Sequence, residues 1–247
     1  MERNRGSPGR VKASRAQKIR AASRRHASRK PNRTPRGHDM TWPETHGTDT
    51  NLLVLHALRC VGATSPARLH SVTGLDESDI ESELIDLGAD GLVTRTSGDM
   101  PGWWLTDAGR AADAERITHE LESANARGAV RAAFDRFLVL NPELLDLCTA
   151  WQLRNIDGIM RANDHGDPAY DSRVLDRFAD FDRRAAVVCA ELSAALPRFG
   201  RYRDRLAGAL DRAASGALEY VTDSTASYHT VWAELHEDLL ATLGMQR

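Results

Sequence analysis

Leu87-Gly-Ala-Asp-Gly-Leu-Val93, followed after a turn-rich gap by Trp104-Leu-Thr-Asp-Ala-Gly-Arg110, is the stretch on which the fold is read. Gly91 suits a left-handed exit from a helix. Leu92 and Leu105 are apolar plugs on two short strands, 92–95 and 103–105, and Thr96-Ser-Gly-Asp-Met-Pro-Gly102 is the tip between them. Gly98 and Gly102 permit a tight turn. Thr106 is a helix N-cap with Asp107 in the first turn. Gly109 lets that helix pass close to the strands.

Outward from this stretch, the preceding residues carry three helical patterns. Residues 51–61 form a compact apolar helix with Leu52, Leu55, Leu58 and Cys60 toward one side, ended by Gly62. Ser65-Pro66 opens a second helix, Ser as cap and Pro at the first position, which stops at Gly74. Asp76 caps a third, in which Ile80, Leu84 and Leu87 recur at helical spacing and face inward. Three helices and a two-stranded hairpin are the order of a winged helix-turn-helix. The two opening segments resemble the L-x-x-x-G-L-V and W-x-L-T-x-x-G-R stretches of bacterial winged-helix regulators of the MarR and PadR type. That resemblance covers about 60 residues and implies a DNA-binding domain.

Beyond Thr106 the period is helical almost throughout. The reading is a helix over 107–127, another after Gly128, a new one starting at Asn141-Pro142, a loop over 155–169, and helices over 170–196, 199–215 and 216–243. No strand pattern is visible there. The expected fold is mainly α: a disordered basic arm and linker over 1–49, a winged helix over 50–110, and an antiparallel helical domain over 111–247. Asp146-Leu-Cys-Thr-Ala-Trp-Gln-Leu-Arg154 and the run from Ser227 to Leu240 resemble the C-terminal part of actinobacterial proteins described as transcriptional regulators. This second resemblance implies no defined biochemical activity.

Charge is unevenly placed. Residues 1–39 hold 13 Lys or Arg and two acids, a net of +11, so a chain of net charge -2 carries -13 over the rest. A polar, basic segment of this kind cannot bury enough surface to order itself, and it suits a polyanion through counterion release. The alternatives are a solubilising extension or a translation start at Met40. Residues 50–110 are acidic, with four Arg against nine acids, and the third helix has no basic residue. DNA affinity rests largely on phosphate neutralisation, so this domain needs help from the arm or from dimerisation. The residues placed to touch DNA are Arg68, Ser78, Ser82, Arg95, Thr96 and Ser97. His70 lies beside Arg68.

Trp151, Gln152, Arg154, Tyr228, His229 and Trp232 are the candidates for an effector pocket between helices, against the alternative that the aromatics are core or dimer-seam residues. Cys60, Cys148 and Cys189 stand far apart without CxxC spacing, which argues against a disulfide framework and a zinc site and suits buried thiols in a reducing cytoplasm. His229 and His236, seven residues apart, and His165 between Asp164 and Asp167 are weak metal candidates, so no metal or cofactor is expected. GxSxG, P-loop, GxGxxG and HExxH motifs are missing, which argues against an enzyme. No apolar run is long enough for a membrane span. The resulting expectation is a cytoplasmic, homodimeric regulator of transcription that binds double-stranded DNA and responds to a small molecule. Its alternative is a winged-helix module that docks on a protein and does not read DNA.

Overall fold

In the computed structural model, which describes residues 48–97 and 101–245, the three short helices and the hairpin read above are present. Helix α1 spans Thr50–Val61, α2 Pro66–Thr73 and α3 Glu77–Ala89. Strands β1 (Val93–Thr96) and β2 (Gly102–Leu105) pair antiparallel, Val93 opposite Leu105. The Ser65 hydroxyl accepts from the Arg68 N–H at 3.2 Å, and Gly74 takes the left-handed conformation at the end of α2. The segment between α1 and α2 adds a single rung to the hairpin: Thr64 and Trp103 exchange N–H···O bonds of 3.1 and 2.8 Å. Ile80, Leu84 and Leu87 are fully buried with Val54, Leu55, Leu58, Leu69, Val93 and Leu105 in one apolar cluster.

Helix α4 (Asp107–Ser123) starts where Thr106 caps it, the hydroxyl accepting from the Gly109 N–H at 3.0 Å. The Thr106 hydroxyl also donates to the Gly91 carbonyl at 2.8 Å, so one side chain ties the helix start to the start of the hairpin. A Cβ at Gly109 would stand 2.0 Å from the Leu92 carbonyl oxygen. Only glycine lets α4 lie this close to the chain entering β1.

The remaining helices are α5 (Arg127–Gln152), α6 (Pro168–Ala195), α7 (Gly200–Ala214) and α8 (Tyr228–Leu243), with single 3-10 turns at Pro197–Phe199 and Leu218–Tyr220. Their apolar faces close a second, larger cluster around Phe134, Phe137, Phe178, Phe181, Tyr228 and Trp232. Residues 45–247 make one compact unit containing both clusters.

Three expectations need correction. Asn141-Pro142 does not begin a helix; Pro142 lies inside the continuous α5. Strands β3 (Leu153–Ile156) and β4 (Ile159–Ala162) form a second antiparallel hairpin where a loop was expected. Its turn is Asp157-Gly158, both at positive φ, the conformation that two-residue hairpin turns demand. The last helix starts at Tyr228 and not near Gly216; Gly216 is left-handed, and the Ser227 hydroxyl caps α8 by accepting from the Thr230 N–H at 3.2 Å. Residues 1–47 and 98–100, which include the basic arm and part of the first hairpin's tip, lie outside the described residues. Among the described residues, no helix is long and apolar enough to cross a membrane.

Candidate functional site

Two places concentrate chemistry. The first is the outer face of α3 and the β1–β2 hairpin. Ser78, Ser82, Arg95, Thr96 and Ser97 are all exposed there. A cleft of about 780 Å³ lies between these elements, lined by Pro66, Glu81, Ile85, Arg95, Ser97 and Trp103 among others. Ile85 is 65% exposed, an unusual residue for the middle of an otherwise acidic helix face. Arg68 does not join this face. Its guanidinium turns to the far side of α2, where it donates to the Thr225 carbonyl at 2.5 Å and pairs with Glu234 on α8. The nearby His70 imidazole sits 2.7 Å from the Leu75 carbonyl.

The six residues read as an effector pocket separate. Tyr228 and Trp232 are core: both meet Phe181 edge-on, Trp232 stacks on Phe137 at 4.3 Å between ring centroids, and its indole N–H donates to Asn141. The Tyr228 hydroxyl donates to Asp182 at 2.9 Å. Burial, with Asp182 beside it, pushes this phenol well above its usual range. Trp151 belongs to the same large apolar cluster but packs against the His165 ring at 4.6 Å, and its buried indole N–H has no hydrogen-bond partner. Arg154 reaches toward Asp164 and Asp167 at 4.0 and 3.7 Å, Gln152 is exposed and His229 is half-buried. The better-formed polar group nearby is one the sequence reading did not assemble: the Asn163 amide donates to Asp171 at 2.9 Å, and His165 Nδ1 lies 3.1 Å from the same carboxylate.

The second place is a charged seam between the helix–hairpin unit and α8, and it was not anticipated. His56 on α1 is 4% exposed. Its Nδ1 lies 2.9 Å from Asp113 on α4, and its Nε2 lies 3.0 Å from Asp238 on α8. An ionised carboxylate only accepts, so both ring nitrogens must carry hydrogen and the ring is an imidazolium. Burial opposes that charge, but the negative groups around the ring, the Asp238 and Asp113 carboxylates among them, outweigh it and raise the imidazole well above its ordinary value. Arg198, from the 3-10 turn before α7, donates to the same Asp238 oxygen at 2.6 Å, to Glu120 at 2.8 Å and to Thr242 at 2.6 Å. The Tyr202 hydroxyl donates to the other Asp238 oxygen at 3.0 Å. Burial acts against the Asp238 charge, yet Arg198 and His56 hold the carboxyl well below its usual range.

One helical turn from His56, the Cys60 sulfur lies 3.6 Å from Nε2. Among the described residues, His56, Cys60 and Asp238 bring three ligand-type atoms within 4.8 Å of one another. A small cavity of about 20 Å³ adjoins them, lined also by Leu53, Tyr202 and Arg205. Burial pushes the thiol up at all three cysteines, to about 12 at Cys148 and about 11 at Cys189; at Cys60 the His56 imidazolium acts against it, whereas Cys148 and Cys189 sit inside the larger apolar cluster. The seam continues along α8, where Glu237 pairs with Arg59 at 2.5 Å and Glu234 with Arg68 and Arg205.

No family model, curated protein or solved structure matches this chain. The functional reading therefore stands on these residues.

Of the seam, only the His56-x-x-x-Cys60 spacing was visible in sequence. Four residues apart on a helix places two side chains on one face. Asp238, 182 residues from His56, could be added only by the fold.

Proposed function

We propose that the protein is a regulator of transcription whose residues 50–110 act as a winged helix on double-stranded DNA, of the MarR/PadR-like kind, with the helical remainder holding two copies together. The observation that carries this reading is the order of three short helices and an antiparallel hairpin, with Ser78, Ser82, Arg95, Thr96 and Ser97 exposed on α3 and the hairpin. In such a unit the third helix enters the major groove and the hairpin lies beside it.

The charge distribution sets how binding must work. Of the four arginines in this unit, Arg59 and Arg68 are paired with carboxylates on α8. Arg95 and Arg110 are left on the exposed surface. Two cations neutralise few phosphates, so the larger electrostatic share falls to the 13 basic residues of 1–39. Affinity for a duplex from the gene's own upstream region, followed by fluorescence anisotropy across a salt series, should fall steeply with salt. Deleting residues 1–39 should flatten that slope and weaken binding. Absence of duplex binding by the full chain at low salt would sink the reading.

One observation favours a second reading, in which α3 and the hairpin dock on a protein. The exposed positions of α3 include Glu77, Asp79, Glu81 and Asp86 together with Ile85. An exposed apolar residue on an acidic helix suits a basic, partly apolar protein surface better than a phosphate backbone. Under this reading the salt series shows no duplex binding, and Ile85→Glu abolishes capture of the partner.

A further inference from the structure

We propose that His56, Cys60 and Asp238 form a zinc site that ties α1 to α8. The distances suit a tetrahedral ion. With Zn–N and Zn–O near 2.0–2.1 Å and Zn–S near 2.3 Å, neighbouring ligand atoms stand about 3.4 Å apart for N and O and about 3.6 Å apart for S and N. The corresponding separations here are 3.0 Å for His56 Nε2 to Asp238 and 3.6 Å for Cys60 Sγ to Nε2. The imidazole is already oriented as a zinc ligand requires. Its Nδ1 is held 2.9 Å from Asp113, the carboxylate partner that fixes the ring and strengthens Nε2 as a donor to the metal. The adjoining cavity of about 20 Å³ passes the roughly 10–15 Å³ that a cavity needs to admit one water, which leaves room for a water as fourth ligand.

Arg198, 2.6 Å from Asp238, and Arg201 and Arg205, which line the same cavity, weigh against a cation here, and charge balance answers them. Before binding, the imidazolium and the neutral thiol together carry +1. Zinc at +2 with a neutral imidazole and a thiolate also carries +1. The ion replaces two protons, one from His56 and one from Cys60, and both leave to solvent. No oxidation occurs, and Arg198 and Asp113 meet the same net charge in either state. The N, S and O donor set suits zinc more than the hard ions magnesium or calcium. Because its ligands come from α1 and α8, an ion here fixes the helix–hairpin unit on α8. Its binding is measured without DNA, so its failure and that of the proposed function are separable.

The test uses the full-length protein after removal of metal by a chelator, titrated with cobalt(II) as a spectroscopic probe and then with zinc. One cobalt per chain should bind with the intense visible bands of tetrahedral geometry and a thiolate-to-cobalt charge-transfer band. Zinc should displace it. Cys60→Ser should remove the charge-transfer band, whereas Cys189→Ser should keep it. Asp113→Asn should keep the band and weaken zinc binding about 10–100-fold. Zinc added to the metal-free wild type should release two protons per ion in weakly buffered solution and raise the unfolding temperature. Saturating zinc without a rise in that temperature, or a charge-transfer band that survives in Cys60→Ser, would overturn the site whatever the fate of the other variants.

Discussion

Leu84 in α3 and Trp232 in α8 are both buried, one in each of the two apolar clusters, and each is surrounded by apolar side chains. His56, between the clusters, is as buried as they are but is surrounded by Asp113, Asp238, Cys60 and Arg198. The apolar clusters hold their helices through contacts that tolerate repacking. The seam holds α1, α4 and α8 through hydrogen bonds of fixed direction, and a partly satisfied buried network is costly. The consequence is a difference in kind. The clusters join their helices by burial of apolar surface, whereas the seam joins α1, α4 and α8 through particular donors and acceptors.

The largest break in this contrast should come from Arg198→Ala. It leaves Glu120 without its buried cation and Asp238 with His56 alone, a change that costs about 3–5 kcal/mol. A urea midpoint equal to wild type would show that the seam adds nothing. The same contact can be weakened reversibly with pH in metal-free protein. Folding raises the His56 pKa above 6.5, so its contribution is complete below pH 6.5 and is lost as pH rises through the higher folded value. Folding lowers the Asp238 pKa below 3.8, so its contribution is present above that value and is lost as pH falls through the lower folded value. Stability measured from pH 6 upward should therefore decline, and His56→Gln should remove the part of the decline that His56 causes.

Smaller effects sharpen the boundaries of the helix–hairpin unit. Gly109→Ala should lose about 1–3 kcal/mol through the clash with the Leu92 carbonyl, although alanine is the better helix former by about 1 kcal/mol. A gain in thermal midpoint would show that α4 and the hairpin can separate freely. Thr106→Ala should lose about 1 kcal/mol as the α4 cap and the bond to Gly91 disappear together. The exposed pair of Glu143 and Arg184, at 2.6 Å, gives the control: Glu143→Ala should change stability by less than about 1 kcal/mol. A larger loss there would mean that surface charge, and not the buried seam, dominates.

Legibility followed the range of each interaction. Ser65, Gly74, Gly91 and Thr106 act within a few residues of themselves, and each marks the helix or hairpin end read from it. Pro142 misled because a proline is a strong local start signal, while α5 is held through that point by Phe137, Leu144 and Leu147 in the large cluster. The β3–β4 hairpin was missed for another reason. Asn155 and Arg161 interrupt any apolar alternation, although Asp157-Gly158 between two isoleucines was a usable turn signal. In the pocket group, Tyr228 and Trp232 proved to be core, the alternative weighed for them in sequence. The seam was the least legible, since a charged residue on a helix reads as solvated until the fold supplies its partner.

The 182 residues between His56 and Asp238 also have a meaning in time. A ribosome adding roughly 5–20 residues per second takes about 10–40 s to travel that distance. For that interval the helix–hairpin unit can fold about its own core, and His56 can find Asp113, only 57 residues on. Its second carboxylate does not yet exist. Until α8 is made, Arg59 and Arg68 are without Glu237 and Glu234, the carboxylates that hold them in the folded chain.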